Sequence, residues 1–190
     1  MPTTTWLATI VLSLFSASVL AAADPDPASV WDALATPGAV VVLRHSYAPG
    51  GFDPPGARLD DCSTQRNLDA RGRAQAARIG EAFRRHGVVV GDVVASPRCR
   101  CLDTGRLAFG TARAWDALQG ALSDDAVRRR QLAEIRALVD AHRDGPPLVL
   151  VTHGSVVTDL TGRDVRMGAF VVLARDPDGG RRVAGPLFVD

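Results

Sequence analysis

No internal repeat and no low-complexity block interrupts the 190 residues, which excludes repeat architectures and leaves room for one domain with a substantial core. Excess charge is missing too. The formal net charge is +1, so global electrostatics give no reason to expect a nucleic-acid or membrane-surface partner. Any anion site must come from a local cluster. With 46% hydrophobic and 23% charged residues, the balance is that of a folded globular chain and excludes disorder.

Cysteine is scarce: Cys62, Cys99 and Cys101 are the three. The Cys-x-Cys pair has no further Cys or His at ligand spacing, and no carboxylate cluster replaces one, so no metal site is expected. Cys62 stands far in sequence from the other two. A bridge from it to Cys99 or Cys101 would tie two segments together and leave one thiol unpaired in a monomer.

Charged side chains are absent from the first 23 residues. Trp6 to Leu20 is mostly apolar, Ala21-Ala22-Ala23 supplies small residues, and Asp24-Pro25-Asp26-Pro27 follows at once. The apolar stretch falls short of the roughly 20 residues a membrane span needs. The pattern predicts a signal peptide over 1–23 and a mature domain over 24–190. The missing basic n-region leaves an uncleaved anchor as the alternative. Export places the mature protein in the periplasm or outside the cell, without stable membrane association, where disulfides persist.

The mature chain alternates apolar strands with amphipathic helices. Ala39 to Leu43, Val88 to Ala95 and Pro147 to Thr152 are continuous apolar runs of the kind buried on both faces of a sheet. Helices are predicted over Ala28 to Leu34, from an Asn67 or Asp69 cap to Arg85, over Arg98 to Phe109 and over Asp124 to His142. Thr111 to Trp115 suits a short strand, and Ala169 to Ala174 with Arg182 to Val189 a terminal pair. Pro49, Gly50, Gly51, Pro54, Pro55 and Gly56 keep Ser46 to Asp61 a loop. This order predicts a three-layer α/β/α sandwich around a mostly parallel sheet.

In such sheets ligands bind at the carboxyl ends of the strands. Those ends read Leu43-Arg44-His45, Ala95-Ser96-Pro97 leading to Arg100, and Thr152-His153-Gly154. Two guanidinium forks and two imidazoles at one rim suit a phosphoryl group. One imidazole can attack phosphorus while the other donors stabilise charge on the equatorial oxygens. His86 and His142, by contrast, fall near helix C-termini, where a histidine has a structural reason to be.

Arg44-His45 after a strand, the L-x-x-x-G-x-x-Q-A pattern from Leu68 to Ala76, Ser96-x-x-x-Arg100-x-x-x-Thr104 and Thr152-His153-Gly154 together resemble the histidine phosphatase superfamily. The resemblance spans about residues 39 to 174. It is nearest to the small exported branch-1 members, including the lipopolysaccharide core heptose phosphatases. It implies a phosphoglycerate mutase-like fold and hydrolysis of a phosphomonoester through a phosphohistidine, without metal or cofactor. His45 becomes the nucleophile, and Arg44, Arg100 and His153 line the phosphate pocket. Arg66, Ser46 and Gly154 become candidate substrate contacts. The implied partner is a small phosphorylated substrate or a phosphorylated glycan, and no nucleic acid.

Two features depart from the family pattern. Ser46 replaces the glycine that often follows the nucleophile, and the proton donor is not obvious. Asp124 is taken as the catalytic carboxylate, with Asp116 and Asp125 as its competitors; the plain role of Asp124-Asp125 is a helix cap and first turn. Phosphohistidine phosphatases work without such an acid because their leaving group is good. A non-catalytic module that binds phosphorylated ligands in the same pocket is the rival reading. Export argues against a mutase of glycolytic substrates.

Overall fold

A computed structural model describes Met1 and residues 26–120 and 124–189 of the chain. The predicted signal peptide lies outside the described residues, apart from Met1. Six strands form one sheet in the order β3-β2-β4-β1-β5-β6. They are β1 Val40–Arg44, β2 Val93–Ala95, β3 Arg113–Ala114, β4 Leu148–Thr152, β5 Ala169–Arg175 and β6 Arg181–Phe188. The four strands from β3 to β1 run parallel, and β5 with β6 adds an antiparallel edge. The helices are α1 Pro27–Leu34, α2 Ala70–Arg85, α3 Cys99–Phe109, α4 Asp125–Ala141 and α5 Gly154–Thr161.

Alternation along the buried strands divides the core in two. Val41 and Leu43 face one layer with Val30, Ile79, Phe83, Cys101 and Ala108 of α1, α2 and α3. Val40 and Val42 face the other with Ile135, Val139, Val156 and Val157 of α4 and α5. The expected three-layer sandwich is the architecture found. Among the described residues, no helix is long and apolar enough to cross a membrane.

Three elements differ from the sequence-based expectation. The apolar run 88–95 is a strand only over Val93–Ala95, because β4 begins at Leu148 and no strand lies opposite 88–91. Val88 instead donates to the carbonyl of Phe83 and Val89 faces solvent. The helix α5 follows His153 directly, where no helix was expected. A 3-10 turn at Asp116–Gln119 is a further addition.

Glycines explain how closely these layers approach. A Cβ at Gly80 of α2 would stand 1.9 Å from the Ala108 carbonyl oxygen of α3, so only glycine allows that crossing. Gly72 meets the Tyr47 carbonyl oxygen at the same distance. One turn on, Gln75 accepts from the Tyr47 N–H (2.8 Å) and donates to the Met167 carbonyl (3.2 Å). The glycine-glutamine spacing of α2 thus clamps the backbone just after the β1 end to the backbone just before β5.

Cys62 is bridged to Cys99 with a Cα–Cα distance of 5.8 Å, and Cys101 is buried and free. Beside the bridge, Gln65 accepts from the Cys99 N–H (3.0 Å) and donates to the Arg58 carbonyl (2.7 Å), so the segment before α2 is held on the start of α3. The bridge closes a span of 37 residues. By loop-closure entropy, opening such a span costs about 4 kcal/mol of stability. Cys62→Ser is therefore expected to lower the urea midpoint strongly. Treating the wild type with reductant should reproduce the variant's midpoint, and unequal midpoints would reject the cross-link as the cause.

Candidate active site

The carboxyl ends of β1, β2 and β4 open into one cleft of about 980 Å³. His45 follows β1 and is 2% exposed. Its N–H donates to the Thr152 carbonyl (2.9 Å), and the Gly168 N–H donates to the His45 carbonyl (3.0 Å), so the ladder continues through His45. The ring Nδ1 lies 2.8 Å from the Ser46 carbonyl oxygen. A carbonyl only accepts, so Nδ1 carries the proton and Nε2 keeps its lone pair.

The residue after His45 is fixed from behind. The Ser46 N–H donates to Thr104 Oγ1 (3.0 Å), and that hydroxyl donates to the Arg100 carbonyl (2.7 Å). Thr104, four residues along α3 from Arg100, thereby couples the turn after His45 to the helix that carries the arginine. Across the cleft, His153 caps α5 and its ring lies 5.5 Å from that of His45, centroid to centroid. Ser96 Oγ, at the end of β2, is 3.0 Å from His153 Nε2.

Burial, then the positive neighbours, keep both rings neutral. His45 is pushed well below the ordinary histidine value by desolvation, then by His153, with Arg100 and Arg66 adding to it against the Ser46 carbonyl. His153 is pushed down to about 3 by desolvation and then by Arg100 and Arg98. Cys101, packed 3.7 Å from His153 Nε2, is pushed up to about 12 by its complete burial and stays a thiol.

A pH dependence of stability follows. Below about pH 6.5 the unfolded chain protonates both histidines while the folded chain does not. Unfolding then takes up protons, and stability falls as the pH drops towards the folded values. The loss is expected to approach about 1.4 kcal/mol per histidine per pH unit. The carboxylates held low, Asp53 and Asp159, begin to matter only further down. Urea unfolding at pH 7.5, 6 and 5 measures the slope, and a flat profile would show the histidines to be charged in the fold.

Arginines complete the wall, five of them lining the cleft with Arg130 of α4 included. Arg44 donates through Nη1 to the Val165 carbonyl (2.7 Å), and its Nε is buried without a partner. Gly154 leaves room for it, since a Cβ there would sit 3.2 Å from Arg44 Nη1. Arg100, 6% exposed, donates through Nη1 to both oxygens of Asp53 (2.8 and 3.1 Å), and its Nε is also buried and unpartnered. Arg66 donates to the Ala48 carbonyl (2.6 Å), and Arg98 lies 3.5 Å from Asp53. Buried guanidinium N–H groups without acceptors are costly unless an anion arrives to accept from them.

Solved structures of phosphatases share this arrangement of elements. The protein histidine phosphatase SixA, complexed with tungstate, superposes with a TM-score of 0.57 at 16% identity, over 78% of this chain and 97% of its own. Mycobacterial glucosyl-3-phosphoglycerate phosphatase gives 0.56 at 18%, over 80% and 99%. A phosphoserine phosphatase variant from Entamoeba histolytica, in complex with phosphoserine, gives 0.59 at 11%, over 77% and 95%. The chain has the histidine-phosphatase fold. No protein-family model and no curated protein matches the sequence.

On the histidine-phosphatase fold, Arg44, His45, Arg66, Arg100, His153 and Gly154 all line the cleft. Two expected residues are not among its lining. Ser46 is fully buried behind His45, where its backbone positions the ring. Asp124 is the N-cap of α4: its Oδ1 accepts from the Ala126 and Val127 N–H groups (2.9 and 3.0 Å), which is the plain reading of that sequence. Asp125 begins the helix. Of the three carboxylates, Asp116 lines the cleft.

Arg98 and Asp53 also line it and were not singled out from sequence. Arg98 sits two residues from Arg100 and was legible in the Arg-Cys-Arg run. Asp53 lies in the Pro/Gly loop, whose course no local pattern reveals. His86 and His142 take up structural positions: His86 stacks on Trp31 at 4.0 Å, and His142 Nε2 lies 3.1 Å from the Pro146 carbonyl. Among the described residues, no group of three or more His, Cys, Asp or Glu is placed to hold a metal.

Proposed function

We propose that the protein is a phosphatase that hydrolyses phosphomonoesters through a phosphohistidine on His45. The observation that carries this is the deprotonated Nε2 of a buried, neutral His45 beside Arg44, Arg66, Arg100 and His153. His45 Nε2 attacks phosphorus as the bond to the leaving oxygen breaks, and the arginine N–H groups hold the charge of the equatorial oxygens. Water then attacks the phosphohistidine, releasing inorganic phosphate and restoring His45. The positive charge that a metal would bring is supplied by the guanidinium groups.

The leaving oxygen needs a proton when it departs as an alkoxide. We assign that proton to Asp116, the cleft-lining member of the three carboxylates considered from sequence. Asp53 is a poor donor. Burial works against its charge, but the Arg66 N–H and then Arg100 and Arg98 win and hold it below the usual carboxylate range. If Asp116 is only a rim residue, the substrates are those with good leaving groups, phosphohistidine among them. SixA, a protein histidine phosphatase of this fold, makes that second reading worth testing.

We infer that the protein acts outside the cytoplasm, on a phosphosugar or phosphorylated glycan of the cell envelope. The uncharged first 23 residues and the Cys62–Cys99 bridge support the location. The cleft supports the substrate class: Asp116, Gln119, Gln131, Thr158 and Asp164 provide hydroxyl-binding groups beyond the arginines. Steady-state turnover of an aryl phosphate, a sugar phosphate and phosphohistidine by wild type and Asp116→Asn tests these readings together. Loss confined to the sugar phosphate supports the assigned donor, and equal retention on all three removes it. Tight phosphate binding with no turnover of any of them would leave a binding module.

A further inference from the structure

Asp53 is an acid placed inside a cleft built for anions. It stands in the loop Gly50-Gly51-Phe52-Asp53-Pro54-Pro55-Gly56, with its side chain 15% exposed. Its Oδ1 accepts from the Arg66 N–H (2.9 Å) and from Arg100 Nη1 (2.8 Å), its Oδ2 accepts from Arg100 Nη1 (3.1 Å), and Arg98 Nη1 is 3.5 Å away. Arg100 Nη1 also donates weakly to the Arg66 carbonyl (3.4 Å). That nitrogen is therefore spoken for, and the buried, partnerless Nε of the same guanidinium, with Nη2, is left to a ligand.

Five arginines line the cleft against three aspartates, and both histidines there are held neutral. Such a cluster binds substrate and product phosphate alike, and uniform binding slows release without speeding chemistry. One fixed carboxylate within the cluster weakens the hold on any dianion. Its tie to Arg100 Nη1 at the same time sets the plane of the fork.

Resting on the phosphatase reading above, we propose that Asp53 is a positioning residue that aims Arg100 and offsets one arginine charge, so that product phosphate leaves. Asp53→Asn separates these roles, because the amide oxygen can still accept from the Arg66 N–H and Arg100 while the charge is gone. Binding of inorganic phosphate, measured by calorimetry, is expected to tighten about ten-fold. The kcat on an aryl phosphate should fall several-fold, with KM unchanged or lower. Asp53→Ala removes the anchor as well, and its KM is expected to rise. Circular dichroism and the urea midpoint establish that both variants fold.

A merely structural loop residue would give weaker phosphate binding in both variants, or no change in either. Unchanged or weaker binding by folded Asp53→Asn, while the wild type turns over, overturns the proposal and spares the phosphatase reading. A wild type that neither binds phosphate nor turns over any phosphoester overturns both.

Discussion

His45→Ala is expected to lose on the order of 10,000-fold or more in kcat on any phosphomonoester, with the fold intact. The ring does work that no neighbour can take over. Its Nδ1–H is committed to the Ser46 carbonyl, which leaves the Nε2 lone pair for the proposed attack, and burial keeps that atom unprotonated into acidic solution. His153 stands across the cleft but cannot substitute: its Nε2 faces Ser96 Oγ at 3.0 Å and its edge packs on Cys101. The same groups predict a shape for the pH profile. Activity should not fall through the ordinary histidine range near pH 6.5, since the nucleophile is already neutral there. Phosphate binding by His45→Ala should survive, because the guanidinium donors are untouched. Residual turnover within ten-fold of wild type would mean that another group attacks.

Arg100→Lys is expected to cost about 100-fold in kcat/KM although it preserves the charge. Arg100 uses one nitrogen on Asp53 and keeps a separate, buried one without a partner. A single ammonium cannot serve both. It would either pair with Asp53 and leave the phosphoryl oxygens one donor short, or turn to the ligand and release the loop that Asp53 anchors. The loss should appear in kcat as well as KM, because a misaimed donor costs most where charge develops. A kcat within two-fold of wild type would show that Arg100 serves only as a charge.

Much of this site could be read from the chain because its parts sit at pattern boundaries. His45, His153 and the approach to Arg100 each end an apolar strand, and the rule that ligands gather at the carboxyl ends of a parallel sheet brings them together. Arg66 could be placed because it precedes a helix whose start faces the same rim. Other parts depend on tertiary paths. Asp53 reaches Arg100 because the Cys62–Cys99 bridge and Gln65 hold its segment against α3, and nothing local to Asp53 encodes that. Asp124 and Asp116 both follow the second arginine. Choosing between them requires knowing that Asp124's oxygen is used by the N–H groups of α4. Its place beside His45 marks Ser46 as a ligand contact, yet it is fully buried. Its N–H is held by Thr104, 58 residues away.

The shortened β2 carries the same lesson for the fold. The run Val88-Val89-Val90 has strand propensity, yet a strand needs a partner, and β4 starts too late to offer one. Residues 93 to 95 suffice, since they alone must deliver Ser96 to His153 and the chain onward to Arg100.

The proposal that phosphate passes through His45 can be tested by trapping the adduct. Wild type mixed with a labelled phosphoester, denatured within milliseconds at alkaline pH and digested, should yield one phosphopeptide carrying an acid-labile, base-stable phosphate on His45. Label that is stable to acid, or that maps to another residue, or that persists in His45→Ala, would contradict the account.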